Sequence, residues 1–318
     1  MTTRLVPSRR RGLLIALAAG ALVLASACGY SATPVPTAAA PSTPPPDKST
    51  CTTTKADLAS YPPNIHAPGP TISRIKKAGV LRIGVSWDTY LMAARNAQSN
   101  GISGFDIDVA RAIAKALGVR AELDVISAGE RQTDLENGTL DMVVREYTIT
   151  CDRWKHIAFS SEYYDAGQKV LVRKDLADKY AGPQDLAGLR VCAPVGTTSL
   201  ANIEKVEPKA IAVTAQTHTG CLMKFQQGDA DAITGDDTVL AGLVAQDPYA
   251  VVPPGQRPLE DEPYGVGMNK KAKDLVRFVN AVLQQYAHDG QWERSYRRWL
   301  EPALQVPAQP PTPDFSRR

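Results

Sequence analysis

The sequence predicts an α/β fold of two lobes, each built on a mostly parallel sheet with helices on both faces. Short apolar runs such as GVLRIGV, residues 79–85, alternate with helical segments along the body of the chain. This alternation is typical of parallel strands that are joined by helical crossovers. The length of 318 residues also exceeds what one small core needs, which favours two lobes.

The individual elements follow in order along the body. After the strand at 79–85, the stretch GFDIDVARAIAKALG predicts an amphipathic helix, because Val109, Ile113 and Leu117 recur every four residues and Gly118 ends the run. Further strands are predicted at RAELDVI, LDMVV, KVLVR, VCAPV, AIAV and DAIT. Further helices are predicted at RQTDLENG, TTSLANIEKV, CLMKFQQG and KDLVRFVNAVLQQYAHDGQWERSYRRWL, the last broken near residue 289.

The first 28 residues predict an export signal. Arg4 and the arginines at 9–11 form a positive end, and GLLIALAAGALVLASA runs apolar up to Cys28. The sequence LASAC resembles a bacterial lipobox, with Ala25 where leucine is usual. We therefore expect Cys28 to be acylated and to anchor the mature chain, with a permanent transmembrane anchor or ordinary secretion as the alternatives.

Two segments have the composition of disordered chain. Residues 29–70 are dominated by Pro, Ser, Thr and Ala, and residues 305–318 are similar. Such segments bury too little apolar surface to offset the entropy of ordering. We expect a tether at 29–70, a folded body at about 71–304 and a disordered tail at 305–318.

The charge distribution argues against a nucleic-acid partner. The chain has 36 basic and 33 acidic residues and a formal charge of +3, with no long basic block. A surface that follows phosphates needs clustered lysine or arginine.

Four cysteines remain beside the predicted lipid site, and an even number in an exported chain favours disulfides. Three pairings are open on the sequence. We favour Cys192 with Cys221, which fall in one central segment, and Cys51 with Cys151, which would pin the tether to the body. The cysteines form no CxxC motif and pair with no histidine, so no metal site is expected.

Six blocks of the body resemble one protein family. GFDIDVARAIAKAL matches the signature of the bacterial extracellular solute-binding proteins of family 3, which are receptors for polar amino acids that feed ABC importers. LENGTLDMVV, TITCDRWKHIAFSSEYYDAG, DLAGLRVCAPVGTTS, QQGDADAITGDD and GQWERSYRRWL match further family blocks in the same order, over about residues 79–300. The chain is most similar to actinobacterial lipoprotein receptors for glutamine or glutamate.

The resemblance implies the type II periplasmic-binding-protein fold. Residues 71–165 and 264–304 would form lobe 1, and residues 166–263 would form lobe 2. Two segments, near 163–167 and 260–264, would make the hinge. A ligand would select the closed form because only that form offers contacts from both lobes.

A buried amino-acid zwitterion needs a cation for its carboxylate and an anion for its ammonium, because an unpaired buried charge is costly. By resemblance, Arg153 grips the α-carboxylate with its planar fork, and Thr148 meets the zwitterion from the same lobe. The loop of Gly196, Thr197 and Thr198 lies between a strand and a helix, where backbone N–H groups favour an anion. Thr198 would complete the carboxylate site.

The resemblance assigns the ammonium to Asp236, with Asp237 as the nearest alternative. Arg131 occupies a position where some glutamate and aspartate receptors carry arginine and most other receptors carry an apolar residue. A second cationic fork suits a second ligand carboxylate, so an acidic ligand is favoured over an amide, and Arg145 is a further candidate cation.

Residues that flank the first strand and the signature helix complete the expected site. Asp106 and Asp108 are expected to complement the N-terminus of their helix rather than to act as catalytic acids, and Phe105 to face the cleft. Trp87, Asp88 and Tyr90 are expected to wall the side-chain pocket. If Asp88 accepted a ligand amide, glutamine would be favoured instead.

These features predict a monomeric binding lipoprotein on the outer face of the cell membrane, which delivers glutamate, aspartate, glutamine or asparagine to ABC permease subunits. No cofactor and no enzyme activity are expected, because none of the four histidines lies in a ligand position of the family. A sensor domain that signals to a membrane partner without transport is the alternative, and a dehydratase on the same fold is a more distant one.

Overall fold

The computed structural model describes residues 51–318. The predicted signal peptide, the predicted lipid site Cys28 and residues 29–50 of the predicted tether lie outside the described residues. Within 51–318, no helix combines the length and the apolar composition that a membrane crossing requires.

The strands form one large and one small sheet. They are β1 (Val80–Val85), β2 (Asp88–Thr89), β3 (Ala93–Arg95), β4 (Ile102–Ser103), β5 (Arg120–Val125), β6 (Met142–Val143), β7 (Ile157–Arg173), β8 (Arg190–Pro194), β9 (Ile211–Ala215), β10 (Ala232–Asp236), β11 (Ala250–Val251) and β12 (Asp261–Asn269). The nine-stranded sheet has the order β5-β1-β6-β12-β7-β10-β8-β9, with β11 beside β7, and β2-β3-β4 form the small sheet. The outer strands of the large sheet pair in parallel, and the pairs of β7 and β12 are antiparallel.

The helices connect these strands as crossovers and cover the sheet. They are α1 (Pro70–Ala78), α2 (Phe105–Leu117), α3 (Arg131–Glu136), α4 (Cys151–His156), α5 (Thr198–Val206), α6 (His218–Gln227), α7 (Asp237–Val244), α8 (Lys273–His288), α9 (Gln291–Trp299) and α10 (Glu301–Leu304). The signature helix α2 ends as its sequence predicts, because Gly118 adopts the left-handed conformation, with φ 72°.

Apolar residues collect in two regions of the sheet. The larger core packs α1, α2, α8 and α9 against β1, β6, β12 and the first half of β7, and we call this region lobe 1. The other region, lobe 2, surrounds β8, β10 and the second half of β7. There Leu171 and Cys192 join one cluster, while Val170 and Val191 join another, because successive side chains of a strand point to opposite faces. The α/β fold of two lobes is thus confirmed.

Strand β7 runs through both lobes, and β12 lies beside its first half. The sequence predicts a strand only at KVLVR, whereas β7 begins at Ile157 and has 17 residues. The predicted lobe boundaries fall inside these two strands, where Asp165 lies opposite Pro263. Both connections between the lobes are therefore extended, hydrogen-bonded backbone.

Both favoured disulfides are present. Cys192 and Cys221 join β8 to α6 in the lobe 2 core, and Cys51 and Cys151 join the N-terminal segment to the start of α4. They close chain separations of 29 and 100 residues, respectively.

The described parts of the predicted tether and of the predicted tail, residues 51–70 and 305–318, contact each other and the body. Ser60 and the C-terminal segment exchange backbone hydrogen bonds, from Ser60 N to Asp314 O at 2.8 Å and from Arg317 N to Ser60 O at 3.1 Å. The Arg317 guanidinium lies 3.7 Å from the centre of the Trp154 ring. Composition missed this packing because a disulfide and an aromatic surface on α4 hold the two segments.

Candidate functional site

A polar cavity lies where the two lobes meet. Lobe 1 contributes Thr89, Arg131, Arg145, Glu146 and Thr148 to its wall, and lobe 2 contributes Thr197, Thr198, Ser199, His218 and Asp236. The lining residues follow the ends of strands or begin helices, which is where ligands bind in open α/β sheets.

Asp236 is the acid that the sequence assigns to this site, and it lies in the cavity wall at the end of β10. Its side chain is buried, and its Oδ2 accepts a hydrogen bond from the Tyr264 hydroxyl at 2.7 Å. Burial, followed by the charge of Glu262, raises the pKa of Asp236 well above its ordinary value. Such a carboxyl is stabilised by a cation that enters the cavity.

Thr148 and Thr198 meet across the two lobes. Their hydroxyl oxygens are 3.3 Å apart, and both hydroxyls donate to Oε2 of Glu262, at 2.5 and 2.7 Å. Glu262 is fully buried on β12, and its Oε1 has no hydrogen-bond partner among the described residues. Sequence reasoning missed Glu262, since nothing in LEDEPYG separates a buried acid from the exposed acids beside it.

Arg153 lies at the edge of this site and is not part of the cavity wall. Its Nη1 donates to the Thr148 carbonyl at 2.6 Å, and its Nη2 donates to the Gly196 carbonyl at 3.4 Å. The guanidinium also stacks on the Tyr147 ring, 4.7 Å from its centre. The fork therefore joins the two lobes next to the two threonines.

Arg131 lines the cavity, but its donors are used by the protein. Its guanidinium donates to the carbonyl oxygens of Ala128, Arg145, Glu146 and Gly196, at 2.8 to 3.1 Å. Burial and then the charge of Arg153 lower the pKa of Arg131 to about 9. The structure thus gives Arg131 a role in fixing loops of both lobes, which differs from the predicted contact with a ligand carboxylate.

Gly196 is the meeting point of these two arginines. It has φ +76°, and a Cβ at this position would lie 2.7 Å from the Cα of Gly129 in lobe 1. The next residue, Thr197, is the N-cap of α5 and accepts from Leu200 N at 3.2 Å. The close approach of two glycine backbones explains why no side chain fits here.

Arg145 and Glu146 form a charged pair in the cavity wall. Nη1 of Arg145 is 3.8 Å from Oε2 of Glu146, and both side chains are more than nine-tenths buried. Glu146 has φ 37°, and its Oε1 is buried with no hydrogen-bond partner among the described residues. The sequence suggests Arg145 as a candidate but gives no signal for Glu146, because its orientation depends on a left-handed backbone conformation that sequence patterns do not reveal.

His218 is a second residue of the cavity wall that the sequence analysis missed. It begins α6, and its Nε2 is buried with no hydrogen-bond partner in the described part of the chain. Burial lowers the pKa of His218 to about 3, so the ring is neutral at physiological pH. The sequence analysis assigned no histidine to the site, and the structure places His218 in the cavity wall.

The signature acids lie in the first turn of α2, as expected, but their side chains bind other parts of lobe 1. Neither acid caps α2 with its side chain. Asp106 instead accepts from Glu146 N and the Tyr163 hydroxyl, at 2.9 and 2.8 Å. Asp108 accepts from two side chains of α9, those of Ser295 and Trp299.

Phe105 is fully buried and does not face the cleft. Its ring packs against Tyr163, Tyr164 and Trp292 in the lobe 1 core, with ring centres 5.7 to 6.3 Å apart. The sequence does not fix the direction of the first side chain of an amphipathic helix. Here Phe105 points into the lobe 1 core, because Trp292 of α9 packs against its ring.

Trp87 and Asp88 lie outside the cavity wall, and Thr89 takes their place. The Trp87 side chain is 47% exposed, so it does not enclose a ligand. The carbonyl oxygen of Asp88 accepts from the Thr219 hydroxyl of lobe 2 at 2.9 Å, which adds another contact between the lobes.

Two α/β lobes that enclose a small cavity with charges of both signs define a class of protein, the binding proteins that close around a polar solute. Residues 81–302 match the model of the bacterial extracellular solute-binding proteins, family 3, and the chain belongs to that family.

The similar proteins include curated relatives and solved structures. An ABC transporter glutamine-binding protein, GlnH of Bacillus subtilis, is 33% identical over 73% of this chain and 85% of its own length. A glutamine-binding protein of Geobacillus stearothermophilus is 34% identical over 65% of this chain and 79% of its own length. A crystal structure of a mutant of ArgBP from T. maritima matches with a TM-score of 0.69 and 30% identity, over 73% of this chain and all of that one.

Proposed function

We propose that this chain is the substrate-binding lipoprotein of an ABC importer for a polar amino acid, of the glutamate, aspartate, glutamine or asparagine type. The observation that carries the proposal is the cavity between the lobes, where buried Asp236 lies in the same wall as Arg131 and Arg145. A zwitterion needs both signs of charge when it leaves water. Membership of the family and the two glutamine-binding relatives support this function.

Each ligand group has a proposed partner. Asp236 takes the α-ammonium, which relieves the cost of its own burial. Arg153, Thr148 and Thr198 take the α-carboxylate, and Arg153 exchanges one carbonyl partner for the stronger carboxylate. Glu262 holds the two threonine hydroxyls in place until the ligand arrives.

Calorimetry of the full chain against the twenty amino acids tests this function. We expect one small group of polar amino acids to bind with a Kd on the order of micromolar or below. Asp236→Asn should weaken that binding at least about a hundredfold, because the ammonium loses its counter-charge. Asp178→Asn is the control, because it also removes one negative charge but does so at an exposed position of lobe 2, and it should leave the Kd unaltered. If none of the twenty amino acids binds, the proposal is refuted.

The membrane anchor is proposed from the sequence at Cys28. A chain acylated there incorporates labelled fatty acid and sediments with membranes, because each buried methylene adds about 0.8 kcal/mol of membrane affinity. Cys28→Ser should lose both the label and the sedimentation. Labelling that persists in this variant would contradict the assignment.

The proposed partner is a pair of permease subunits that reads the closed form. Co-purification of the anchored chain with a permease pair, increased by the bound amino acid, is the expected result. Co-purification with a membrane sensor in place of the permease would assign the chain to signalling instead.

A further inference from the structure

Two residues of the cavity wall each have a buried polar atom with no partner in the described part of the chain. These atoms are Oε1 of Glu146, from lobe 1, and Nε2 of His218, from lobe 2. A buried polar atom without a hydrogen bond is costly, and native proteins retain few of them. Two such atoms in one cavity indicate that a ligand satisfies them.

Glu146 lines the cavity, and its backbone is held in an uncommon conformation. Its N–H donates to Oδ2 of Asp106 at 2.9 Å, and its carbonyl accepts from Nη1 of Arg131 at 3.0 Å. Between these two bonds the residue has φ 37°, which is uncommon for a side chain of this size. Backbone strain that is held by buried partners on both sides is characteristic of ligand sites.

His218 is neutral at physiological pH, because burial lowers the pKa of its ring to about 3. A neutral imidazole has one N–H and one lone pair. Its Nε2 is buried with no hydrogen-bond partner in the described part of the chain, and in the tautomer with the proton on Nδ1 this atom is an acceptor. Nε2 of this tautomer and Oε1 of Glu146 both need an N–H donor.

Arg145, beside Glu146, is a donor and therefore needs an acceptor atom from the ligand. Its Nη1 is 3.8 Å from Oε2 of Glu146, while its Nε donates to the Ile126 carbonyl at 3.1 Å. A guanidinium next to a carboxylate presents a donor next to an acceptor. A primary amide matches this pair, with its oxygen toward Arg145 and its nitrogen toward Glu146.

We propose, on the basis of the function above, that Glu146, His218 and Arg145 recognise a primary amide at the end of the ligand side chain, so that the receptor selects glutamine or asparagine. A carboxylate would satisfy Arg145 but would face the charge of Glu146 and leave His218 without a donor. A cationic side chain would satisfy the two acceptors but would face the guanidinium groups of Arg131 and Arg145. Sites built to hydrogen-bond one group reject an analogue that leaves their polar atoms unpaired.

Calorimetry of the full chain with glutamine, asparagine, glutamate, aspartate, arginine and lysine at neutral pH tests the proposal. We expect an amide ligand to bind at least about tenfold more tightly than its acid. Glu146→Gln removes the repelling charge at constant shape, so the preference of the amide over the acid should shrink at least about tenfold. Glu204→Gln, an exposed change of equal charge on α5, should leave the preference unaltered.

A second variant addresses the other acceptor. His218→Phe keeps a planar aromatic ring and removes Nε2, so it should weaken the amide ligand about tenfold and leave the acid nearly unchanged. Circular dichroism and thermal unfolding establish that both variants are folded.

The outcomes separate the specificity from the function. If an acidic or cationic amino acid binds most tightly, or if Glu146→Gln leaves the preference unaltered, amide recognition is overturned while the amino-acid receptor stands. If no amino acid binds the unmodified chain, the proposed function fails and the amide assignment fails with it.

Discussion

The carboxyl group of Asp106 is fully buried at the start of α2, directly behind the cavity wall. Burial and then the charge of Glu146 raise the pKa of Asp106 to about 8. The folded protein therefore keeps this proton at a pH where the unfolded chain, in which the pKa of Asp106 has its ordinary value of 3.8, has released it. The stabilisation of the folded state by this proton is complete below the pKa of the unfolded chain. It is lost as the pH rises to the pKa of the folded protein.

We expect the thermal unfolding midpoint of the ligand-free protein to decrease as the pH is raised from about 5 to about 8. In Asp106→Asn this fall should be smaller, because the amide has no proton to lose and keeps acceptor and donor atoms for Glu146 N and Tyr163. Calorimetric unfolding at several pH values measures the difference. An equal fall in both proteins would show that Asp106 does not titrate in this range, and Asp178→Asn serves as the exposed control.

At the scale of single residues, the sequence indicates which chemistry is needed but not every residue that supplies it. Thr148, Thr198 and Asp236 lie in the cavity wall as expected, because each follows a motif with a fixed place at the end of a strand. Glu146 and His218 carry no such signal. Their importance follows from an unpaired atom in a shared cavity, which only the folded chain reveals.

Among the elements, α4 connects the binding region to both ends of the body. It carries Arg153 on one side, and Cys151 at its first position is bonded to Cys51. Trp154 donates from Nε1 to Asp57 O at 2.7 Å and lies under Arg317. A short helix that is fixed at three points holds the guanidinium of Arg153 at the edge of the cavity.

Arg317→Ala should destabilise the protein by about 1 to 2 kcal/mol, because it removes a cation–π contact and the hydrogen bond from Nε to Ala59 O at 2.8 Å. Arg318→Ala changes an exposed neighbour and should alter the free energy of unfolding by less than about 0.5 kcal/mol. Urea unfolding of both variants measures this difference. Equal stability of the two would mean that the C-terminal segment does not pack in solution.

Over the whole molecule, the cavity exists because the lobes touch around it. Gly196 approaches Gly129, Gly242 approaches the carbonyl of Tyr90, and Arg131 donates to Gly196 across the gap. A ligand that contacts both walls stabilises this arrangement by its extra contacts.

Gly196→Ala should therefore weaken amino-acid binding at least about tenfold by holding the lobes apart. The added Cβ would lie 2.7 Å from Gly129 Cα. Gly188→Ala is the matched control, since Gly188 has a similar φ of +77° with nothing within 4 Å of the added atom. Both variants share the backbone strain, so only Gly196→Ala should lose affinity in calorimetry and show a larger radius of gyration by small-angle scattering. Equal affinities would contradict a role for this contact in closure.

The sequence by itself determined the two-lobed α/β fold and the family, and it assigned to the site five residues that line the cavity, Arg131, Thr148, Thr197, Thr198 and Asp236. It favoured the two disulfides that form but left the other pairings open. The fold and the family depend on the periodicity of apolar residues and on ordered motifs, which are local. The tertiary structure decided the burial of Phe105, the packing of both terminal segments, the carbonyl partners of Arg131 and the unpaired acceptors of Glu146 and His218. These depend on which distant segments meet, because burial and hydrogen-bond partners are properties of the packed chain.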